Sequence, residues 1–292
     1  MKTVVTSHAQ LKGMLSPLIH FLVYKFQKSK MHPENSMLII SVDVDVGNKM
    51  LGVLNRGKND RNVDSSFGEY VIGEIEEQAL PLIVNFFNAL EIPVTFGIRG
   101  QLLELDSSIL DLLQKSPIEH DIGSHSYYHR NFRGLSYDEA DSELKLVSAT
   151  MKRFKVPPKS FIFPKNGVAY LELLEKYGYK CYRDYGNFMN DGMYINKHGR
   201  LYDIHPGLYI GNITNVILIR KIMDISIKNR LPFHVWFHPW NLGKKKELIR
   251  KRLDRLFSPL FKYAKAKEKE GVLKFETMLS AAQKTEKMLI SD

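Results

Sequence analysis

The stretch MLIISVDVDVG, Met37 to Gly47, decides the fold. Its first half is a continuous apolar run of strand length, and its second half sets Asp43 and Asp45 at the end of that run. Aspartate is depleted in strands, and a buried carboxylate with no partner is costly. The run has therefore either become a turn, or it delivers two charges to a place where they have partners. Working outward, VTFGI (94–98), IEHDIGS (118–124), KSFIFP (159–164), YKCYR (179–183), FHVWFH (233–238) and VLKFETM (272–278) also read as strands. Helical periodicity lies between them: from about Gly73 to Pro93, over 107–115, and from a Ser136/Glu139 capping box to about Phe154. It recurs over 171–178, with Gly178 as C-cap, near 216–229, over a basic stretch 244–270, and at the C-terminus. Residues 186–215 read as irregular. This alternation predicts a parallel sheet covered by helices. No Gly-x-Gly-x-x-Gly follows the first strand, so a closed or nearly closed (β/α) barrel is expected rather than a dinucleotide-binding sheet.

A composition of 44% apolar and 25% charged residues is that of a globular protein with ample core. The single cysteine, Cys181, excludes a disulfide framework and a thiolate zinc site, and reads as a small buried residue. The net charge of +10 is unevenly placed: residues 244–274 hold 12 Lys/Arg against 4 Asp/Glu, and residues 1–31 hold five Lys and no acid. Such segments can meet an anionic membrane or nucleic acid, but solvated helix faces are the commoner outcome, and nucleic acid is not expected as a partner. Leu15 to Val23 is too short to span a bilayer, and no small-residue cleavage site follows it. Residues 11–26 read as an amphipathic helix packed on the domain or touching a membrane surface. The expectation is a cytoplasmic protein with at most peripheral membrane contact. It is divided into an N-terminal extension (1–35), a main domain (36–280) and a C-terminal tail (281–292).

In barrels, chemistry collects at the C-terminal ends of the strands. The polar residues fall there: Asp43 and Asp45, then His125 and His129, then Lys165 and Asn166, then Arg183 and Asp184, then His238 with Trp240. In HSYYH the two histidines stand at i and i+4, read as one helical turn that points both rings one way. That spacing is weak by itself, but a carboxylate from another strand end completes a set suited to an open divalent-metal site. Either aspartate can supply it. The other can then take a proton from water acidified by the ion, and His238 can protonate a leaving amine. His234 shares the strand face of His238 and either supports it or fills the core. His120 reads as a packing residue and His205 as a loop residue. Tyr128 and Trp240 are candidates for stacking on a sugar.

The chain resembles the NodB-type polysaccharide deacetylases, carbohydrate esterase family 4, over about residues 36 to 280. VDVDVG is similar to an Asp-x-Asp form of the first motif, HDIGSHSYYH to the second, SFIFPKN stands in place of the third, HVWFHPWN resembles the last, and LKFETM the closing strand. The resemblance implies a distorted (β/α)7 barrel, Asp43 as general base, His238 as general acid, and Asp45, His125 and His129 as metal ligands. It implies Zn2+, with Co2+, Ni2+ or Mn2+ as alternatives, and an N-acetylated sugar or glycan as substrate, expected to be a cytoplasmic precursor such as a sugar nucleotide or lipid-linked glycan. The family's arginine that steadies the base is missing from its usual loop. Lys165 stands there, and Arg183 is the alternative partner. Asp184 resembles the fourth-motif aspartate. The competing readings are a non-catalytic barrel that binds membranes or polyanions through its basic termini, and a hydrolase of a small non-sugar amide.

Overall fold

The computed structural model describes residues 35–45, 79–184, 193–205, 207–210, 215–243 and 245–291. The expected N-terminal extension, Asn35 apart, and its membrane contact therefore lie outside the described residues, as does the start expected near Gly73 for the first helix.

Strand β1 (Ser36–Val44) is the axis of the molecule. All nine of its residues are buried, which is why it reads as an uninterrupted apolar run: both faces of a parallel sheet are covered. The described residues form a ten-stranded sheet. Its other members are β2 (Thr95–Ile98), β3 (Asp121–Ser124), β4 (Ser160–Ile162), β5 (Cys181–Arg183), β6 (Ile195–His198), β7 (Leu201–Ile204), β8 (Leu208–Tyr209), β9 (Pro232–Phe237) and β10 (Leu273–Glu276). The order is β6-β7-β5-β4-β3-β2-β1-β9-β8, and β10 also pairs with β1. Pairing is parallel except between β6 and β7. The sheet curls into a distorted barrel with β6 and β8 as its two edges. β10 pairs with the first half of β1 (Ser36 to Ile39) and β2 with the last (Ser41 to Val44), so the wall splays around β1.

The strand period of two sorts the side chains. Leu38, Ile40, Val42 and Val44 point outward into the main apolar core, together with Phe233, Val235 and Phe237 of β9. Helix α1 (Leu80–Ala89) buries Ile83, Val84 and Phe87 in that core. Met37 and Ile39 point inward and meet Ile162, Cys181, Ile204, Met278 and Ala281. This inner cluster fills the lower barrel, so the inward Asp43 stands on an apolar floor. The floor demands small neighbours: a Cβ on Gly97, which pairs with Asp43, would lie 2.6 Å from Ile162 Cδ1.

Four expectations need correction. The segment 186–215, read as irregular, contains the β6–β7 hairpin and β8. The hairpin turns on Gly199 and Arg200, with Gly199 at φ +60, a two-residue loop whose Gly signal is hidden among polar residues. The basic helix 244–270 is divided into Lys246–Arg252, a wider turn Leu253–Phe257, and Ser258–Lys269, because Pro259 cannot donate its helical hydrogen bond. A further helix, Gly100–Leu105, was not expected. The boundary drawn at 280 falls inside the helix Met278–Ser291, whose Ala281, Ala282 and Thr285 are buried. That helix is tied to the barrel floor: Thr95 Oγ1 and Ser160 Oγ donate to the buried Asp121 Oδ2 at 3.0 and 2.6 Å. Leu279 N also donates to it, at 3.3 Å.

Candidate active site

Asp43, Asp45, His125, His129, Arg183, His238 and Trp240 converge at the mouth of the barrel, whereas Asp184, flagged with them, follows the inward Arg183, so it faces outward to Asp203 and His205 and is not part of the mouth. Asp43 is 2% exposed and is gripped by Arg183 from β5, Nη1 to Oδ1 at 2.6 Å and Nη2 to Oδ2 at 2.5 Å. Arg183 is itself pinned. It lies 4.3 Å over the Trp236 ring and donates to Ser41 Oγ at 2.9 Å. Ser41 in turn meets His234 Nε2 at 2.9 Å, and His234 Nδ1 donates to the Ile204 carbonyl at 3.2 Å. With Ser41 accepting from Arg183, its hydroxyl hydrogen goes to His234, so the imidazole is neutral. Burial, then the Arg183 charge, pushes His234 down to about 3, in agreement. His234 therefore supports the partner of Asp43 rather than His238. Burial alone would push Asp43 up, but the charge and hydrogen bonds of Arg183, followed by His125 and His238, hold it down at about 2.

Of the two partners considered for Asp43, the structure selects Arg183. Lys165 is exposed and carries a left-handed backbone (φ 53), and its charge acts on His129 instead. Asn166 is half-buried and also left-handed, at φ 54. Cys181, expected as a small buried residue, is fully buried one strand position below Arg183's neighbour Tyr182.

Asp45, His125 and His129 form a second group, with one ligand atom from each within 4.8 Å of the others. His129 Nε2 lies 3.6 Å from Asp45 Oδ2, and the two imidazole centroids are 4.7 Å apart. The histidines do not sit on a helix, as their spacing implied. Ser126 and His129 both have positive φ (58 and 59), and a tight loop brings the rings together. Ser126 Oγ accepts from His129 N at 3.0 Å. Two residues that sequence reading missed hold this loop. Glu143, 1% exposed, accepts from Tyr127 N and Tyr128 N at 3.0 and 2.9 Å. Arg99, also 1% exposed, donates from Nη2 to Tyr128 O at 2.8 Å and from Nε to Tyr127 O at 3.4 Å. Burial lowers Arg99 to about 10 against the opposing charges of Asp45 and Glu143, so it remains a cation at neutral pH. Each would have been found only by asking which distant charge meets the loop backbone; nothing in the local sequence marks them. Tyr128 is half-buried, edge-on to Tyr127 at 4.6 Å, and its carbonyl is in the Arg99 clamp.

The donors fit a divalent ion. His125 Nδ1 donates to the Ile162 carbonyl at 2.8 Å, which leaves Nε2 with its lone pair. Burial pushes both His125 and His129 down, towards the neutral form that ligates. His129 Nδ1 is buried without a hydrogen-bond partner. His238 completes the mouth. Its Nε2 is 3.8 Å from Asp43 Oδ2 and 3.6 Å from Asp45 Oδ2, and its ring stacks on Trp240 at 4.4 Å. Trp240 Nε1 donates to Asp45 Oδ1 at 3.3 Å. Trp240 thus orders both His238 and Asp45. His120 is the packing residue expected: Nδ1 accepts from Val94 N at 3.2 Å and Nε2 meets Asn88 Oδ1 at 3.0 Å.

Residues 67–182 match the family model for polysaccharide deacetylase. Over that span, which is less than half of the chain, the sequence is similar to the polysaccharide deacetylases. The matched span holds the histidine pair, whereas Asp43 and Asp45 lie before it and Arg183 and His238 beyond it. No curated protein matches the chain in sequence. Among solved structures, a Mycobacterium smegmatis chain assigned to the polysaccharide deacetylases shares 14% identity at a TM-score of 0.57, covering 82% of this chain and 94% of that one. A Pseudomonas aeruginosa PAO1 chain of the same assignment gives 11% and 0.62, covering 85% and 89%. The allantoinase PuuE gives 12% and 0.63, with the same coverage. At these identities the likeness is one of fold.

Proposed function

We propose that this protein removes N-acetyl groups from a glycan or glycan precursor with the help of a divalent metal ion held by Asp45, His125 and His129. The observation that carries this reading is the meeting of those three donors beside an arginine-clamped carboxylate and an imidazole, all at one mouth. An ion bound there supplies Lewis acidity, polarising the amide carbonyl and making nearby water more acidic. Asp43 then takes the proton of the attacking water at a carboxylate oxygen. Arg183 keeps that carboxylate ionised and fixes its plane, as a bidentate fork does and a lysine does not. His238 gives a proton from Nε2 to the amine nitrogen as the carbon–nitrogen bond breaks. Trp240 holds the His238 ring and narrows the mouth. The two carboxylates are not interchangeable in this scheme: Asp43 is committed to Arg183, and Asp45 to the histidines. This favours Asp43 as base and Asp45 as ligand over the reverse.

The test is metal analysis of the purified protein, with chelation and add-back while acetate release from N-acetylated sugars is followed. The expected result is a bound divalent ion, activity lost with chelator and restored by Zn2+, Co2+, Ni2+ or Mn2+. A metal-free protein that releases no acetate overturns the reading. A sugar nucleotide and a lipid-linked glycan belong in the substrate panel, because the proposal includes a cytoplasmic substrate; fractionation of cells tests that placement. The rival reading as a polyanion or membrane binder predicts salt-sensitive binding that His125→Ala leaves unchanged. Among the described residues no helix is long and apolar enough to cross a membrane.

A further inference from the structure

The opposite face of β5 carries a second convergence of ligating groups. Arg183 points into the barrel, and the next residue, Asp184, points outward by strand alternation. There it meets Asp203 and His205 from the end of β7, which pairs with β5 through Cys181–Tyr202 and Tyr182–Asp203. One ligand atom from each of Asp184, Asp203 and His205 lies within 4.8 Å of the other two. His205 Nδ1 is 2.7 Å from Asp184 Oδ1, and the His205 ring stacks on Tyr194 at 4.2 Å. Asp203 and His205 are 3% and 1% exposed, while Asp184 keeps a side chain 20% exposed at the rim.

We propose that Asp184, Asp203 and His205 form a second binding site for a divalent transition-metal ion, separate from the barrel mouth. Asp203 is the deciding group. Its Oδ1 is buried without a hydrogen-bond partner, in a group whose other two members already share a contact. A divalent cation among the three gives that oxygen a partner and offsets the repulsion between the neighbouring carboxylates of Asp184 and Asp203. Two carboxylates and one imidazole form an oxygen-rich donor set that suits borderline ions such as Zn2+ and Mn2+. The exposed edge of Asp184 is the path of entry. An ion there ties the end of β5 to the end of β7, one residue from the arginine that holds Asp43, and so stiffens the catalytic base from outside the barrel.

The experiment counts ions in the untagged full chain after equilibration with Zn2+ or Mn2+ and gel filtration. The His125→Ala/His129→Ala double variant lacks two donors of the mouth, so its content reports the outer site alone. One ion per chain is expected in that variant, and adding Asp203→Asn should weaken binding at least tenfold. Should Asp203→Asn fail to fold by circular dichroism, Asp184→Asn, at the exposed rim, replaces it with the same expectation. The unmodified protein should carry two ions. A double variant that binds none, or one whose binding survives both aspartate substitutions, overturns the proposal. If instead the mouth binds no metal, the unmodified protein carries one ion and the double variant keeps it, so the two readings fail separately.

Discussion

Asp43 and Asp45 are two residues apart on one strand end, yet they live in different regions of the same mouth. Asp43 lies in a finished pocket: both oxygens are bonded, and its arginine is stacked on Trp236 and bonded to Ser41. Asp45 lies in a looser one, 3.6 Å from the imidazoles of His129 and His238 and bonded through Oδ1 to Trp240 Nε1. The difference is that between a carboxylate locked in one plane by a bidentate fork and one that shares its neighbourhood with ring nitrogens.

The widest separation of the two regions should come from a pair of substitutions. Asp43→Asn should keep the metal and lose activity by at least about a thousandfold, because the proton acceptor is gone. His125→Ala should lose both. Metal content beside acetate release distinguishes them, and metal loss in Asp43→Asn would mean that the two aspartates have exchanged roles. Next comes the clamp. Arg183→Ala leaves Asp43 buried and uncompensated, at a cost of about 3–5 kcal/mol in unfolding free energy. Arg183→Lys keeps the charge without the fork and should retain most of the stability while kcat falls. Equal damage from both substitutions, seen in denaturant melts, would contradict the role given to the bidentate geometry.

The loop clamp should give a smaller effect. Glu143→Ala strips the acceptor from Tyr127 N and Tyr128 N, and metal affinity should fall roughly 10- to 100-fold with Asp43 untouched. Glu143→Gln still accepts and should recover part of this. Acid stability follows from the finished pocket. His234 is held at about 3 in the folded protein against 6.5 unfolded. Below pH 6.5 the unfolded chain binds a proton that the native chain does not, so stability falls as pH drops from there towards 3. Asp43, held at about 2 against 3.8, adds stability above pH 4 that is lost on going down through 2. His234→Gln should flatten the upper part of that acid limb in urea midpoints measured by pH, leaving the lower part. The smallest effect is local: Ser136→Ala breaks the capping box and should cost about 1 kcal/mol without moving metal affinity.

Much of this was written in the chain. The alternation of strand and helix required a parallel, covered sheet, because two periods of apolar residues admit few other burials. The apolar run into Asp43 and Asp45, the pair His125 and His129, and His238 at the end of its own strand were legible because each follows from local pattern and strand ends gather at one mouth. The even spacing of His234 and His238 placed both on the inner face, as observed. The expected helical turn for HSYYH was wrong because spacing reports separation along the chain and cannot report the left-handed residues that fold the loop. The hairpin after β5 was illegible for a related reason: its strands are only four residues long, β6 exposed at three of them and β7 buried at all four, so neither shows an apolar alternation.

Sequence alone thus determined which residues could do chemistry and at which end of which strand they stand. Tertiary structure decided their partners. Whether Lys165 or Arg183 holds Asp43 depends on two strand ends being brought across the barrel, and a bidentate bond is a matter of ångströms between residues 140 positions apart. Arg99 and Glu143 show the same limit. A buried charge is tolerable only beside its counterpart, and which charges become neighbours is settled by the curl of the sheet, not by the order of the chain.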